Sequence, residues 1–219
     1  MRFYFVRHGK TQWNLEGKYQ GANGDSPLLP ESYRDIHYLA KFLTGKRIDH
    51  IYTSPIKRAY LTAKTLDDDL GGKIPLTTND AIKEFDLGDL EGRKFVDVEK
   101  KFPKLIWAFR HDPSQYDAKI VHGESFEQVI ARSDGFLKDL AADPNAGDKV
   151  YLIVSHGAAL TAMTRSLLGV PLKDLRKNGG MSNTGLTTID TYDHGKTFKL
   201  IKWNDTSYLH RQLSSTDTI

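Results

Sequence analysis

Short runs of apolar residues alternate with longer amphipathic stretches along almost the whole chain, and two of the short runs end alike. The run Phe3–Val6 leads directly into Arg7-His8-Gly9, and the run Val150–Val154 leads into Ser155-His156-Gly157. Continuous apolar runs of this length are typical of buried strands. Ligands of an open parallel sheet bind beyond the carboxyl ends of its strands. If the two strands are neighbours, we therefore expect His8 and His156 to converge on one point.

The rest of the pattern predicts further strands and helices. Apolar residues at helical spacing predict helices over residues 30–44, 55–70, 93–101, 103–110, 124–140, 158–168 and 171–175. Short apolar runs predict strands at 48–53 and 74–77 and a closing hairpin at 185–191 and 197–203. Pro55 suits the first turn of its helix, with Ser54 as the N-cap. The polar tail after Thr206 is expected to fray or to lie on the surface.

This alternation of strands and helices predicts the fold class. It is typical of an α/β protein with a three-layer α/β/α sandwich around a mostly parallel sheet. The closing hairpin would supply an antiparallel edge to that sheet. Because the 219 residues contain no obvious linker, we expect a single domain over residues 1–219.

The composition narrows the classes of function. A net charge of +3 without a run of Lys or Arg argues against a nucleic-acid-binding protein. The absence of cysteine excludes disulfides and thiolate metal sites. No apolar run approaches the ~20 residues of a membrane helix, and the first strand begins too early for a signal peptide. A cytoplasmic protein without a membrane partner is therefore expected.

Arginine and histidine at the predicted strand ends indicate a phosphate site. Attack on a phosphoryl group requires neutralisation of its charge, and the planar guanidinium groups of Arg7 and Arg58 fit phosphate oxygens. Arg58 lies early in a predicted helix, where the helix dipole adds positive potential. A neutral His8 can attack phosphorus and form a phosphohistidine if its other ring nitrogen donates to a group such as a backbone carbonyl. A protonated His156 would stabilise the transferring charge.

These residues form part of a longer series of motifs that resembles a known family. In chain order the series is Arg7-His8-Gly9, Asn14, Ser54-Pro55-x-x-Arg58-Ala59, Glu84 before Gly88-x-x-Glu91-Gly92, and Ser155-His156-Gly157. In content and order it resembles the histidine phosphatase superfamily, also called phosphoglycerate-mutase-like, over nearly the whole chain. The resemblance implies that family's fold, with His8 as the nucleophile and Arg7, Arg58 and His156 around the phosphoryl group.

The resemblance also implies roles for residues that spacing alone leaves open. Four carboxylates of one stretch could give the leaving oxygen its proton: Glu84, Asp86, Asp89 and Glu91. The resemblance selects Glu84, which must then be protonated when substrate is bound. Further phosphate contacts are expected from Asn14, from Gln20 and Gly21, and from the backbone N–H of Ala158. Asn183-Thr184 occupies a family-like position near the site.

Two departures from the family bear on the substrate. Lys10 stands where much of the family has Glu, which predicts a preference for more anionic substrates. The segment that covers the site, here about residues 93–123, carries paired arginines and a Pro-rich stretch in the family's cofactor-dependent mutases. Residues 106–113 contain one arginine and no Pro run, which favours a phosphatase. Arg110, His111 and Lys119 are its candidate contacts to the substrate.

The sequence thus predicts a metal-independent phosphomonoesterase that acts on a small phosphorylated metabolite through a phosphohistidine on His8, without a cofactor. The nearest alternative is a 2,3-bisphosphoglycerate-dependent phosphoglycerate mutase. An inactive phospho-ligand-binding module on the same fold is an alternative from another class. Arginines beside both histidines would repel a cation, so no metal site is expected. The pattern leaves the substrate and the oligomeric state open.

Overall fold

The structure, a computed structural model, describes residues 1–218 and is built around one mixed sheet. Its strands are β1 (Arg2–Arg7), β2 (His50–Thr53), β3 (Leu76–Thr78), β4 (Val150–Ser155), β5 (Leu186–Asp190) and β6 (Lys199–Asp205). Its α-helices are α1 (Gln12–Leu15), α2 (Pro30–Leu43), α3 (Lys57–Asp69), α4 (Phe95–Lys101), α5 (Pro103–His111), α6 (Phe126–Ala142) and α7 (Gly157–Leu167).

The strand order places the two His-Gly units side by side. The order is β3-β2-β4-β1-β5-β6, in which β1 to β4 run parallel, β5 pairs antiparallel with β1, and β6 pairs antiparallel with β5. The predicted α/β sandwich with an antiparallel edge is confirmed. Because β1 and β4 pair with Arg7 opposite Ser155, the His-Gly units that follow them leave the sheet at the same edge.

Helices cover both faces of the sheet, and each face has its own apolar core. Successive side chains of a strand point to opposite faces. Phe3 and Phe5 of β1 accordingly join the core beneath α6 and α7, whereas Tyr4 and Val6 join the core beneath α2 and α3. All four side chains are buried. This double burial fixes the end of β1, and with it the position of His8.

Several predicted boundaries differ from the structure. Helix α3 begins at Lys57 with Ile56 as its N-cap, so Ser54 is not the cap; the extended backbone at Ile56 delays the helix beyond Pro55. The third strand lies at Leu76–Thr78 rather than at 74–77. The short helix predicted at 171–175 is a single 3₁₀ turn, Leu172–Asp174.

The C-terminal tail lies largely on the surface, as expected, but it is not frayed. Tyr208 and Leu209 are buried, and Asp217 is completely inaccessible. Ser182 and Thr218 form an antiparallel bridge. The apolar pair and the buried carboxylate, although few among polar and mostly exposed neighbours, anchor the tail to the domain.

The covering segment folds as α4, α5 and two 3₁₀ turns, Pro113–Gln115 and Ala118–Val121. It packs tightly against the Glu84 stretch at Gly88, whose φ is +51°. A Cβ on Gly88 would lie 1.9 Å from the Val121 carbonyl oxygen, so only glycine fits there. Within residues 1–218, none of the helices combines the length and apolar character that a membrane span requires.

Candidate active site

His8 is buried beyond the end of β1, with its two ring nitrogens in different surroundings. Its Nδ1 lies 2.7 Å from the carbonyl oxygen of Gly9, so Nδ1 carries the proton and Nε2 carries the lone pair. Burial, followed by the charges of Arg58 and Arg7, lowers the pKa of His8 well below its ordinary value. A neutral imidazole with its Nε2 lone pair available is a competent nucleophile.

His156 lies beside it with the opposite orientation. The ring centroids of the two histidines are 5.2 Å apart. The Nε2 of His156 is 2.8 Å from the Ser54 hydroxyl, and its buried Nδ1 has no hydrogen-bond partner within residues 1–218. Burial, followed by the charge of Arg58, lowers the pKa of His156 well below its ordinary value. A protonated His156 therefore requires an anion next to it.

Arg7 presents one edge of its guanidinium group to the protein and keeps the other edge unbonded. Its Nη1 donates to the carbonyl oxygens of Met181 (2.8 Å) and Asp217 (2.9 Å). Its Nε and Nη2 are buried and have no partner in the described part of the chain. Burial lowers the pKa of Arg7 to about 10, so the group stays charged at neutral pH. A Cβ on Gly157 would lie 3.0 Å from Arg7 Nε, which places this unbonded edge against the start of α7.

Arg58 is buried as well, but its donors hold the loop that follows α1. They bind the carbonyl oxygens of Gln20, Gly21 and Gly24 and the carboxylate of Asp25. The Gln20 amide is satisfied when its oxygen accepts from Arg58 Nε (2.8 Å) and its nitrogen donates to the hydroxyls of Thr11 (3.0 Å) and Ser26 (2.8 Å). Gln20 and Gly21, expected at the phosphate, thus bind Arg58 here. Arg58 acts on both histidines through its charge.

The side-chain carboxylate of Glu84 lies at the N-terminus of α7. Its carboxylate accepts hydrogen bonds from the backbone N–H groups of Ala158 (3.1 Å), Ala159 (2.8 Å) and Phe85 (3.0 Å). The Ala158 N–H, expected on the phosphate, is therefore bonded to Glu84. Arg132 fixes the backbone of this stretch by donating to the Glu84 carbonyl oxygen at 3.1 Å. The carboxylate, the unbonded edge of Arg7 and the start of α7 meet at one place.

The three competing carboxylates have other contacts. Asp86 accepts a hydrogen bond from the Gly88 N–H (2.8 Å), and Glu91 accepts one from the Asn23 N–H (3.1 Å). The Asp89 carboxylate lies 3.1 Å from His122 Nδ1. Burial raises the pKa of Glu91, but this side chain lies under the loop at Gly21, where a Cβ would be 2.5 Å from its Oε1. Of the four, Glu84 is the one bonded to α7 beside Arg7.

Asn14 and Asn183 tie the loop after β1 to the sheet. Asn14 Oδ1 accepts from the N–H of Thr11 (3.1 Å) and from Asn183 Nδ2 (3.3 Å). The same Asn183 Nδ2 donates to the His8 carbonyl oxygen at 3.0 Å. The oxygen of Asn14 is thus engaged, which leaves its amide N–H groups for another acceptor.

The comparisons with known proteins agree with this geometry. The sequence model of the histidine phosphatase superfamily (branch 1) matches residues 3–206. The chain belongs to this superfamily. A relative from Yersinia pestis named "Probable phosphoglycerate mutase GpmB" is 32% identical over 190 residues, which are 87% of this chain and 85% of the relative.

Two solved structures share the fold and part of the sequence. Bacillus stearothermophilus YhfR superposes with a TM-score of 0.86 at 30% identity, over 95% of this chain and 99% of that one. A mycobacterial glucosyl-3-phosphoglycerate phosphatase complexed with VO3 superposes with a TM-score of 0.82 at 26% identity, over 93% and 98% of the two chains. The relatives of this histidine phosphatase superfamily enzyme thus include both a phosphatase and a protein named as a mutase.

A cavity of about 610 Å³ opens beside Glu84 in this superfamily member, a size that suits a small ligand. Its lining includes four carboxylates and two cationic side chains, which are Asp80, Glu84, Asp86 and Glu124 against Lys83 and Arg132. Arg132 is committed to the Glu124 carboxylate at 2.8 Å and to the Ala81 carbonyl oxygen at 2.7 Å. The cavity is therefore polar without an excess of positive charge.

The covering segment reaches this cavity at a different point from the one expected. It contributes His122 and Gly123 to the lining. The three residues expected to contact substrate are placed otherwise, with Arg110 bonded to Glu99 (3.3 Å), His111 packed on Trp107 (5.8 Å between ring centroids), and Lys119 exposed in the turn before His122. The αL conformation of His122 (φ 54°) bends the chain toward Glu84, and no local residue pattern indicates this turn.

Two further cationic residues bear on the site, Lys10, which was singled out from the sequence, and Arg176, which was not. Lys10 is only 8% exposed, and its Nζ contacts Ser214 Oγ (2.9 Å) and the Asp217 carboxylate (3.4 Å). Its charge is neutralised there, so Lys10 gives no support to a preference for more anionic substrates. Arg176 is buried close enough to Glu84 for the carboxylate charge to act on it, although burial lowers its pKa to about 10. A single arginine in a loop carries no recognisable sequence signal.

Proposed function

We propose that this chain is a phosphomonoesterase that uses His8 as its nucleophile. The observation that carries the proposal is the set of buried nitrogen atoms near His8 that lack protein partners within residues 1–218, namely Nε and Nη2 of Arg7 and Nδ1 of His156. Buried polar atoms without partners are rare in folded proteins. Here they belong to a guanidinium group and an imidazole beside a neutral histidine, which supports a role in binding a phosphoryl group.

In the first half-reaction, the Nε2 lone pair of His8 attacks phosphorus and the ester P–O bond breaks. Arg7 neutralises the phosphoryl oxygens, with additional positive potential from Arg58. The contact of His8 Nδ1 with the Gly9 carbonyl oxygen (2.7 Å) stabilises the positive charge that develops on the imidazole. Glu84 supplies the proton that the leaving alkoxide takes.

In the second half-reaction, water replaces the leaving group. Glu84, now ionised, accepts a proton from that water, whose oxygen attacks phosphorus as the N–P bond to His8 breaks. The products are inorganic phosphate and a neutral His8. A protonated His156 would stabilise the transferring charge in both halves, because its Nδ1 would donate to a phosphoryl oxygen.

The charges of the cavity favour a phosphatase over a mutase. A bisphosphorylated donor brings a second phosphate and a carboxylate, which need cations outside the His8 pocket. Four carboxylates against two cationic side chains line the cavity, and Arg132 is already bonded to Glu124. Among the residues described, the cavity adjoins the proposed phosphate site through Glu84 and is not lined by Arg7, His8 or His156. We infer that the leaving group extends past Glu84 into this cavity and carries no second phosphate. The mutase remains the second candidate because a relative 32% identical to this chain bears that name.

Transfer of a labelled phosphoryl group distinguishes the candidates. The enzyme is pulsed with 2,3-bisphosphoglycerate labelled in its phosphoryl groups, unlabelled monophosphoglycerate is then added, and the reaction is stopped with alkali, in which phosphohistidine survives. Label transferred to the acceptor contradicts the phosphatase and supports the mutase, whereas a protein that hydrolyses phosphomonoesters and transfers no label supports the phosphatase. In parallel, hydrolysis of p-nitrophenyl phosphate that is lost in His8→Ala excludes an inactive binding module. If the wild-type protein hydrolyses no phosphomonoester in a panel of phosphorylated sugars and hydroxy acids, the proposal is wrong.

A further inference from the structure

The C-terminal tail returns to the catalytic edge of the sheet and is anchored there. Tyr208 and Leu209 lie in the core beneath α2 and α3, and the Tyr208 hydroxyl donates to the Thr184 carbonyl oxygen at 2.5 Å. Beyond them the chain turns back, and Thr218 pairs with Ser182 as an antiparallel bridge. The last described residues therefore lie beside the segment that adjoins Arg7 and His8.

The carboxylate of Asp217 holds this turn together. It accepts from Arg211 (2.7 and 3.1 Å), from both the N–H and the hydroxyl of Ser214 (2.7 Å each), and it pairs with Lys10 at 3.4 Å. Arg211 in turn binds Asp35 of α2 at 2.8 Å. Burial opposes the charge of Asp217, but the Arg211 and Ser214 hydrogen bonds outweigh it and hold its pKa below the usual range. The carboxylate is thus ionised and fixed from three directions.

The main chain of the same residue contacts the proposed phosphate site. The Asp217 carbonyl oxygen accepts from Arg7 Nη1 (2.9 Å) and from the Asn183 N–H (2.8 Å). The Met181 carbonyl oxygen takes the other bond from Nη1 at 2.8 Å. With Nη1 held in this way, the guanidinium is fixed in position, and its Nε lies 3.0 Å from where a Cβ on Gly157 of α7 would be.

We propose that Asp217 is a positioning residue for phosphate binding, which acts through the orientation of Arg7. The proposal rests on the proposed function, in which Arg7 binds the phosphoryl group. A bidentate guanidinium–phosphate contact depends on geometry as well as charge, so a guanidinium released at Nη1 binds phosphate less tightly. Lys10 contributes to the same anchor, because its ammonium group pairs with the Asp217 carboxylate. The Glu that much of the family has at this position would repel that carboxylate.

The test compares two buried aspartates that each bind an arginine. Asp217→Ala removes the anchor beside Arg7. Asp190→Ala is the matched control, since Asp190 binds Arg2 through two hydrogen bonds of 2.8 Å and Arg2 begins β1 at the opposite edge of the sheet. The measurements are the dissociation constant of inorganic phosphate by titration calorimetry, KM and kcat for p-nitrophenyl phosphate, and the Tm of each variant.

Both variants should lose thermal stability, but only one should lose phosphate affinity. For Asp217→Ala we expect the phosphate dissociation constant and KM to rise about tenfold or more, the loss typical of a charge-assisted contact. For Asp190→Ala both should stay within about twofold, as expected of a distant site. A merely structural role would lower the folded fraction, and hence kcat, without moving KM. Asp217→Asn, which keeps an acceptor for Ser214, should restore part of the affinity.

The results for these variants separate the positioning role of Asp217 from the proposed function. Folded Asp217→Ala protein that binds phosphate as the wild type does would overturn the positioning role, while the proposed function would stand if His8→Ala still abolishes hydrolysis. If Asp217→Ala does not fold, Asp217→Asn carries the test, and its unchanged dissociation constant overturns the proposal. A wild-type protein that neither hydrolyses p-nitrophenyl phosphate nor binds phosphate would overturn the proposed function itself. Equal losses of affinity in the Asp190 and Asp217 variants would also refute a specific role for the tail.

Discussion

The two strand-His-Gly units of this enzyme look alike in sequence, but the chain continues differently after each of them. After β1 the chain enters a loop, and His8 Nδ1 bonds to the carbonyl oxygen of the next residue, Gly9. After β4 the chain enters helix α7, with His156 as its N-cap, and His156 Nε2 bonds to Ser54 at the end of the neighbouring strand. The two rings therefore present opposite nitrogens. The structure after the motif, rather than the motif itself, decides which histidine can be the nucleophile.

The largest expected effect separates the two histidines. His8→Asn should reduce kcat for p-nitrophenyl phosphate by about 10³-fold or more, because no covalent intermediate can form. His156→Asn should leave a measurable residual rate and a phosphohistidine that survives denaturation in alkali, since it removes only stabilisation of charge. If His156→Asn abolished the alkali-stable phosphoprotein while His8→Asn kept it, the assignment of the two units would have to be reversed.

Glu84 depends on the second unit for its position, because the N–H groups of Ala158 and Ala159 in α7 bind its carboxylate. Glu84→Gln should lower kcat on an alkyl phosphate by about 10²- to 10³-fold, the range of general acid catalysis. The first half-reaction with p-nitrophenyl phosphate, followed as the burst of nitrophenolate, should slow much less, because nitrophenolate leaves without a proton. The later attack of water should slow equally for both substrates. Asp86→Asn is the control, since Asp86 caps a local turn at Gly88. Equal losses in the first half-reaction of both substrates would argue against an acid role for Glu84.

How much of this site the sequence predicts depends on whether a residue acts at a strand end. His8, Arg7 and His156 are predicted because a buried apolar run ends at each of them and parallel pairing brings the ends together. The hydrogen-bond partners that orient these side chains are not predicted. Ser54 is expected as a helix cap, yet it bonds to His156, because the turn at Ile56 delays α3. Contacts of this kind depend on tertiary distances that leave no period in the sequence.

The tail and the covering segment show the same limit. Asp217 lies 210 positions from Arg7 in sequence and sits among Ser and Thr residues that are typical of a frayed end. Its burial follows from Arg211 and Lys10, which are ordinary surface residue types. In the covering segment, the αL turn at His122 selects the residues that line the cavity. Long-range ion pairs and single backbone conformations cannot be derived from apolar periodicity.

Both histidine units should make the fold sensitive to acid. The pKa of each imidazole is lowered in the folded state, by burial first and by Arg58 second, whereas the unfolded chain titrates near 6.5. Below about pH 6.5 the unfolded chain therefore binds protons that folded His8 and His156 do not bind, and stability is lost as pH falls. Between pH 7.5 and 5.5 this should amount to about 2.7 kcal/mol for the two together.

The measurement is urea unfolding of the wild type and of the double variant His8→Asn/His156→Asn at both pH values. The carboxylates titrate in both proteins, so the difference between their pH dependences reports the histidines. The wild type should lose more stability than the double variant as pH falls. Identical pH dependences would mean that both buried imidazoles take up a proton readily, which contradicts a neutral His8.

The smallest effect concerns the glycine of the second unit. Gly157→Ala places a Cβ 3.0 Å from Arg7 Nε and 3.1 Å from its Cζ, so the guanidinium must shift by a few tenths of an ångström. We expect KM for p-nitrophenyl phosphate to rise about three- to tenfold, since bidentate phosphate binding is sensitive to such a shift. Gly135→Ala is the matched control, because Gly135 lies exposed in α6 and a Cβ there meets nothing within 4 Å. That variant should keep the wild-type KM and gain about 0.5 to 1 kcal/mol of stability from helix propensity. If Gly157→Ala behaved like Gly135→Ala in KM, the close approach of Arg7 to α7 would not matter for binding, and the two His-Gly units would differ only in their histidines.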